Sequence, residues 1–193
     1  DWAAKEMELS GGNIDVIWNG YTITAARIEQ VEFSKPYLQN EQVLVVANDS
    51  AYQTKADLEG KTVGAQVESA GLDALKADTG LAETLADIPE YDDYLMALLD
   101  LGTSRLDAVA IDKVVIGYVM TQEPGKYRVL DESLDDEYYG IGCAKGAVAL
   151  REAIDQALDE LYEDGSIEEL STEWFGENIV IRDVDQLTAA DFE

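Results

Sequence analysis

The chain has 193 residues, 47% of them hydrophobic, with 41 acidic against 13 basic side chains and a formal net charge of −28. That balance sets nucleic acid and anionic membrane surfaces aside as partners, since both require clustered cations. There is no histidine and only one cysteine, Cys143, which excludes imidazole chemistry, an intrachain disulfide and paired-cysteine metal motifs.

The chain opens on DWAAKEMEL with no initiator Met or signal peptide, which reads as a processed or truncated start. No apolar run reaches about 20 residues, so no segment reads as a membrane-spanning helix. In DWAAKEMEL, Trp2 and Leu9 lie seven apart with Met7 between them, which predicts a helix ended by Ser10-Gly11-Gly12. NIDVIW follows as a buried strand. Thr24 suits the cap of a short helix with Arg27 in its first turn. VEFSKPY leads through a turn at Pro36 into the strand EQVLVVA. TKADLEG reads as a short helix capped by Thr54 and closed by Gly60. KTVGAQV is a strand, SAGLDALKA a helix from Ser69, and ETLADI a short strand. YDDYLMALLDLG is a helix ending near Gly102, and LDAVAI a strand. KVVIGYVM is ambiguous by periodicity; its place between a strand and the Pro124-Gly125 turn makes it a helix. YRVL and YYGIGCA are strands. AVALREAIDQALDELYEDG is an amphipathic helix with Leu150, Ile154, Ala157, Leu158 and Leu161 on one face. SIEELSTEWFG is the last helix, with Ser166 as its cap and Glu169 at capping-box spacing. Alternating strands and helices predict an α/β protein with mainly parallel sheets. MELSGGNIDVIW and LLDLGTSRLDAVAI share a helix–turn–strand pattern, which suggests two similar lobes. EQVLVVA and YYGIGCAK are the candidate strands joining them.

Three strand ends carry groups suited to a ligand, where open α/β sheets place their sites. After NIDVIW come Asn19, Gly20, Tyr21, Thr22 and Arg27; after KTVGAQV come Glu68, Ser69 and Ala70; after LDAVAI comes Asp112. A guanidinium grips a carboxylate through paired N–H donors, a helix N-terminus adds amides and a favourable dipole, and a carboxylate takes an ammonium. The set suits a small zwitterion. Taken singly, Arg27 also fits a solvated surface charge, Ser69 a plain N-cap, and Asp112 a cap for the helix after it.

The stretches IDVIWNGYTITAARIEQVEFSKPY, DLEGKTVGAQVESAGLDAL, DLGTSRLDAVAIDKVVIGY, YYGIGCAKG and WFG resemble, in order, the amino-acid substrate-binding proteins of bacterial ABC importers. The resemblance runs from Asp1 to about Gly176. It implies a two-lobed periplasmic-binding-protein fold of type 2, α/β with two mixed sheets flanked by helices and joined by two hinge strands. Residues 1–46 plus 141–193 would form lobe 1, incomplete on its N-terminal side, and 47–140 lobe 2. It further implies a free amino acid held in a hinged cleft, a membrane permease as partner, and an extracytoplasmic location with an anchor in a missing N-terminal segment. It implies no catalytic residue, metal or cofactor.

By the same resemblance Arg27 clamps the ligand α-carboxylate, and Gly20 and Thr22 support the clamp and receive the α-ammonium. Ser69 and the amide of Ala70 meet the carboxylate from the other lobe, and Asp112 binds the ammonium. Tyr21 and Gln66 lie near the ligand side chain. Two departures stand out. Glu68 occupies a position where the family usually has a small residue, often Gly, and a carboxylate there repels an anionic ligand unless it points away. The family's opening strand–helix–strand, which supplies a central strand and an aromatic wall, is missing. The chain is therefore expected to be a fragment, or to complete lobe 1 through a second copy by homo-oligomerisation or strand exchange, and to bind ligand weakly or not at all as it stands. Two alternatives remain: a sensor or interaction module of the same fold, and a dehydratase of that fold using Glu68.

Overall fold

A computed structural model describes residues 1–182 and 184–192. The chain runs through α1 (Lys5–Ser10), β1 (Val16–Ile17), α2 (Ala25–Ile28), β2 (Val31–Phe33) and β3 (Leu38–Ala47). It continues with β4 (Val63–Gln66), α3 (Ala70–Ala77), α4 (Thr79–Ala82), β5 (Glu90–Tyr91), α5 (Tyr94–Gly102), β6 (Ala108–Asp112) and α6 (Lys113–Gln122). It closes with β7 (Tyr127–Val129), β8 (Asp135–Tyr139), β9 (Gly142–Ala144), α7 (Val148–Glu163) and α8 (Ser166–Phe175). Two compact units result: one of Asp1–Ala3 with Glu41–Asp136, the other of Ala4–Asn40 with Glu137–Glu193. The chain passes between them after Ala3, within β3 and again within β8. Among the described residues no helix is long and apolar enough to cross a membrane.

In the first unit the sheet path is β5-β4-β6-β3-β7, and β8 pairs with β3. β4 runs parallel to β5 and β6, whereas β3 is antiparallel to β6 and β7. This corrects the expectation of mainly parallel sheets: β3 enters from the other unit and stands outside the strand–helix–strand succession. Val43 and Val45 pack with α5 and α6 on one face, and Leu44 and Val46 with α3 on the other. Both faces of β3 and β6 are covered, which is why EQVLVVA and LDAVAI read as continuous apolar runs.

The second unit has an antiparallel sheet in the order β1-β9-β2, with Val16 opposite Cys143 and Phe33 opposite Gly142. NIDVIW contributes only two strand residues. YYGIGCA divides between β8 and β9, because Gly140 donates to the Tyr21 carbonyl at 3.0 Å and a Cβ there would lie 2.9 Å from Ile23 and Phe33.

Several local expectations need correction. ETLADI forms no strand; it leaves α4 through a turn, and a single bridge joins Thr62 to Asp87 before β5. YDDYLMALLDLG begins as β5 and becomes helical only after Asp93, whose carboxylate accepts from the Met96 amide at 2.9 Å. On α7, Leu150 and Ala157 are exposed, while Asp155, Leu158 and Tyr162 are buried. The helix is turned by one residue because Asp155 accepts the Lys35 amide at 2.8 Å and Arg151 at 3.0 Å. Ser166 does not cap α8. The cap is Gly165, at φ 79, and the Ser166 amide instead donates to Asp164 at 2.8 Å.

Candidate functional site

In the second unit, the turn after β1 places Gly20 at φ 56, a left-handed conformation that suits glycine. A Cβ there would also meet the Tyr139 ring at 3.4 Å. Thr24 caps the single turn of α2 by accepting the Arg27 amide at 3.2 Å. This cap is legible in the sequence, and it turns Arg27 inward: the side chain is buried, so it is no solvated surface charge. Its Nη1 donates to the carbonyl of buried Thr22 at 3.0 Å, and the guanidinium carbon lies 4.8 Å from the Tyr21 ring centroid. Tyr21 is fully buried, stacks on Phe33 at 4.9 Å and donates its hydroxyl to Glu6 at 2.9 Å. Burial, reinforced by the neighbouring Glu6 charge, pushes the Tyr21 phenol well above its ordinary value. Gly20, Tyr21, Thr22 and Arg27 thus form one cluster, which two residues that sequence reasoning missed, Lys5 and Glu6, complete.

In the first unit, β4 ends at Gln66, whose side-chain amide donates to the Asp92 carbonyl at 3.0 Å. Glu68 is exposed and stands at φ 56. Its backbone is left-handed, a conformation that glycine adopts at no steric cost, so the departure from a small residue carries local strain. The Trp2 indole donates to the Glu68 carbonyl at 3.1 Å. Ser69 caps α3, accepting from the Leu72 amide at 3.1 Å and donating to the Gln66 carbonyl at 2.7 Å. Ala70 begins the helix.

Asp112 lies at the junction of β6 and α6 and is buried, yet its side chain makes no cap bond. Its two oxygens accept from Gln42 Nε2 and from the Tyr94 hydroxyl, each at 2.8 Å. The register explains the first partner, since Gln42 on β3 sits opposite Asp112 on β6. A Cβ on Gly71 would lie 2.7 Å from Gln42 Oε1, so Gln42 packs closely against the start of α3. Gln42 and Tyr94 were also missed; the visible signal was an amide at the start of the apolar run of β3.

A family model for bacterial extracellular solute-binding proteins, family 3, matches residues 1–177. The glutamate-binding protein GluB of Corynebacterium glutamicum is 33% identical over 185 residues, covering 93% of this chain and 62% of that protein. The L-cystine-binding protein TcyJ of Escherichia coli is 28% identical, covering 92% of this chain and 66% of its own length. The chain therefore spans under two thirds of these relatives. A crystal structure of an ABC uptake transporter substrate-binding protein from Streptococcus pneumoniae with bound histidine superposes with a TM-score of 0.89 at 38% identity. That match covers 94% of this chain and 76% of the other.

Proposed function

The chain belongs to the bacterial extracellular solute-binding proteins, family 3, and from that membership we propose that it supplies the amino-acid-binding part of an ABC importer outside the cytoplasm. The observation that carries the reading is the burial of one cation and one anion at strand ends. Arg27 is turned inward by the Thr24 cap, and Asp112 is held by Gln42 and Tyr94 rather than spent on capping α6. Arg27 clamps the ligand α-carboxylate, with Gly20 and Thr22 fixing the backbone beside it. Asp112 takes the α-ammonium. The Ser69 hydroxyl is engaged on both sides, so its part is to present the first amides of α3, starting at Ala70, to the carboxylate. Tyr21 works beneath Arg27, and Gln66 borders the start of α3.

The named relatives bind glutamate, L-cystine and histidine, so a free amino acid is the substrate class, a permease the partner, and the role is binding without turnover. Two charge-assisted contacts at roughly 1.5–3 kcal/mol each supply much of the about 8 kcal/mol of micromolar binding. The test is calorimetry with a panel of free L-amino acids, extended to millimolar concentrations. Asp112→Asn should weaken binding about tenfold or more, and Arg27→Met should abolish it. Failure to bind any amino acid, or binding indifferent to both substitutions, refutes the reading.

A further inference from the structure

Around Arg27 the structure holds two charged residues, Lys5 and Glu6 on α1, to which the functional reading gives no part. One oxygen of Glu6 accepts the Tyr21 hydroxyl at 2.9 Å, lies 3.2 Å from Lys5 Nζ and 3.9 Å from Arg27 Nε. The Tyr21 ring is pinned against Phe33 at 4.9 Å and 30° and supports the guanidinium from below. Thr22 O receives Nη1 at 3.0 Å. The guanidinium is thus steadied on one face by an aromatic ring and at its edge by a carboxylate, and that same carboxylate fixes the ring.

We propose that Glu6, acting with Tyr21, is a positioning residue that sets the orientation of Arg27 and so the strength with which it selects a carboxylate. This rests on the reading of Arg27 as the carboxylate clamp. A long, flexible arginine gives up rotamer freedom when it grips a ligand. One already held in place by its neighbours gives up less, so preorganisation appears as ligand affinity.

The distances separate this role from self-occupation of the clamp. A carboxylate in the ligand's place would meet the guanidinium through paired bonds near 2.7–2.9 Å. Glu6 instead stands 3.9 Å from Nε and makes its short bond to Tyr21. Lys5, itself buried, provides a second cation on the same oxygen and offsets the cost of holding that carboxylate at a largely covered position. Glu6 also lies on the first turn of α1, where a negative charge suits the helix dipole.

The experiment compares the unsubstituted protein, Glu6→Gln and Tyr21→Phe for binding of a free L-amino acid and of its carboxamide, with circular dichroism and melting temperature recorded for each. Glu6→Gln keeps an acceptor for Tyr21 but removes the charge; Tyr21→Phe keeps the ring but removes the tie. The expected result is about tenfold weaker binding of the acid by Glu6→Gln and a smaller loss in the same direction by Tyr21→Phe. The carboxamide should change by less than about twofold in either. Unchanged affinity, tighter binding of the acid, or equal losses for acid and amide would overturn the proposal; the last would mark Glu6 as merely structural. If Glu6→Gln fails to fold, Tyr21→Phe decides by the same criterion. An unsubstituted protein that binds acid and amide equally removes the clamp itself, an outcome distinct from a failure of Glu6 alone.

Discussion

Gly142 and Gly117 offer one chemical change with two opposite consequences. A Cβ on Gly142 would lie 2.8 Å from Tyr21 Cε1 and 3.0 Å from Cδ1, short of optimal carbon contact by about 0.7 Å or more. The Tyr21 ring has nowhere to retreat: Phe33 stacks on one face, Glu6 holds the hydroxyl and Arg27 lies over the ring. Overpacking of this kind costs about 1–3 kcal/mol. Gly117 sits within α6 with no heavy atom within 4 Å of its added Cβ. Alanine there should stabilise by about 0.5–1 kcal/mol, because glycine is a poor helix former. For a chain of this size each kcal/mol moves the melting temperature by roughly 2–4 °C. Gly142→Ala should therefore melt several degrees lower, with an altered near-ultraviolet tyrosine signal, and Gly117→Ala a few degrees higher. Thermal unfolding of both variants in one buffer is the assay. A Gly142→Ala protein with parental stability and an unchanged tyrosine signal would show that Tyr21 has room to move, refuting the account of how Arg27 is supported.

Glu68 stands at φ 56, so Glu68→Gly should stay within about 0.5 kcal/mol of the parent, relief of strain offsetting the added freedom of the unfolded chain. Glu68→Val should lose about 1 kcal/mol or more, and equal urea midpoints for the two would contradict this. Cys143 is buried at the centre of the three-stranded sheet, and burial pushes its thiol up; iodoacetamide at pH 8 should modify it about 100-fold more slowly in the folded protein than in urea. Stability should pass through a maximum between about pH 4 and 6. Above it, the net charge of −28 is self-repulsive. Below it, Asp78, held under its ordinary value of 3.8 chiefly by its hydrogen bond to Lys55, is protonated. A carboxylate with a lowered folded value stabilises fully above 3.8 and loses that contribution as pH falls through the folded value. Urea midpoints that fall steadily from pH 8 to pH 5 would refute the balance, as would a melting temperature at pH 7 that does not rise with added NaCl.

What the sequence made legible is short-range. Thr24, Ser69 and Asp78 each cap a helix three residues ahead, and the sequence reading named the first two because a cap and its target amide sit within one turn. It did not name Asp78, nor foresee α4, a single turn wedged against α3. The family resemblance was readable because TITAAR, with its cap and its arginine, is a contiguous string. The surroundings of Tyr21 were not readable in this way, since its stacking on Phe33 and contact with Gly142 depend on residues 12 and 121 positions away.

The misread face of α7 points to a more general rule. Hydrophobic spacing alone chose Leu150 and Ala157 for the core, yet Asp155 displaced them because it satisfies the backbone amide of Lys35 and anchors Arg151. A buried donor left without an acceptor costs about 1–3 kcal/mol, comparable to covering one aliphatic side chain, so a single polar bond can turn a helix by one residue. The same competition operates in each unit. Gln42, the last polar residue before the apolar run of β3, meets Asp112; Glu6 on α1 meets Lys5, Tyr21 and Arg27. The supporting residues are therefore polar side chains next to apolar ones, and their partners become identifiable only once register and helix rotation are known.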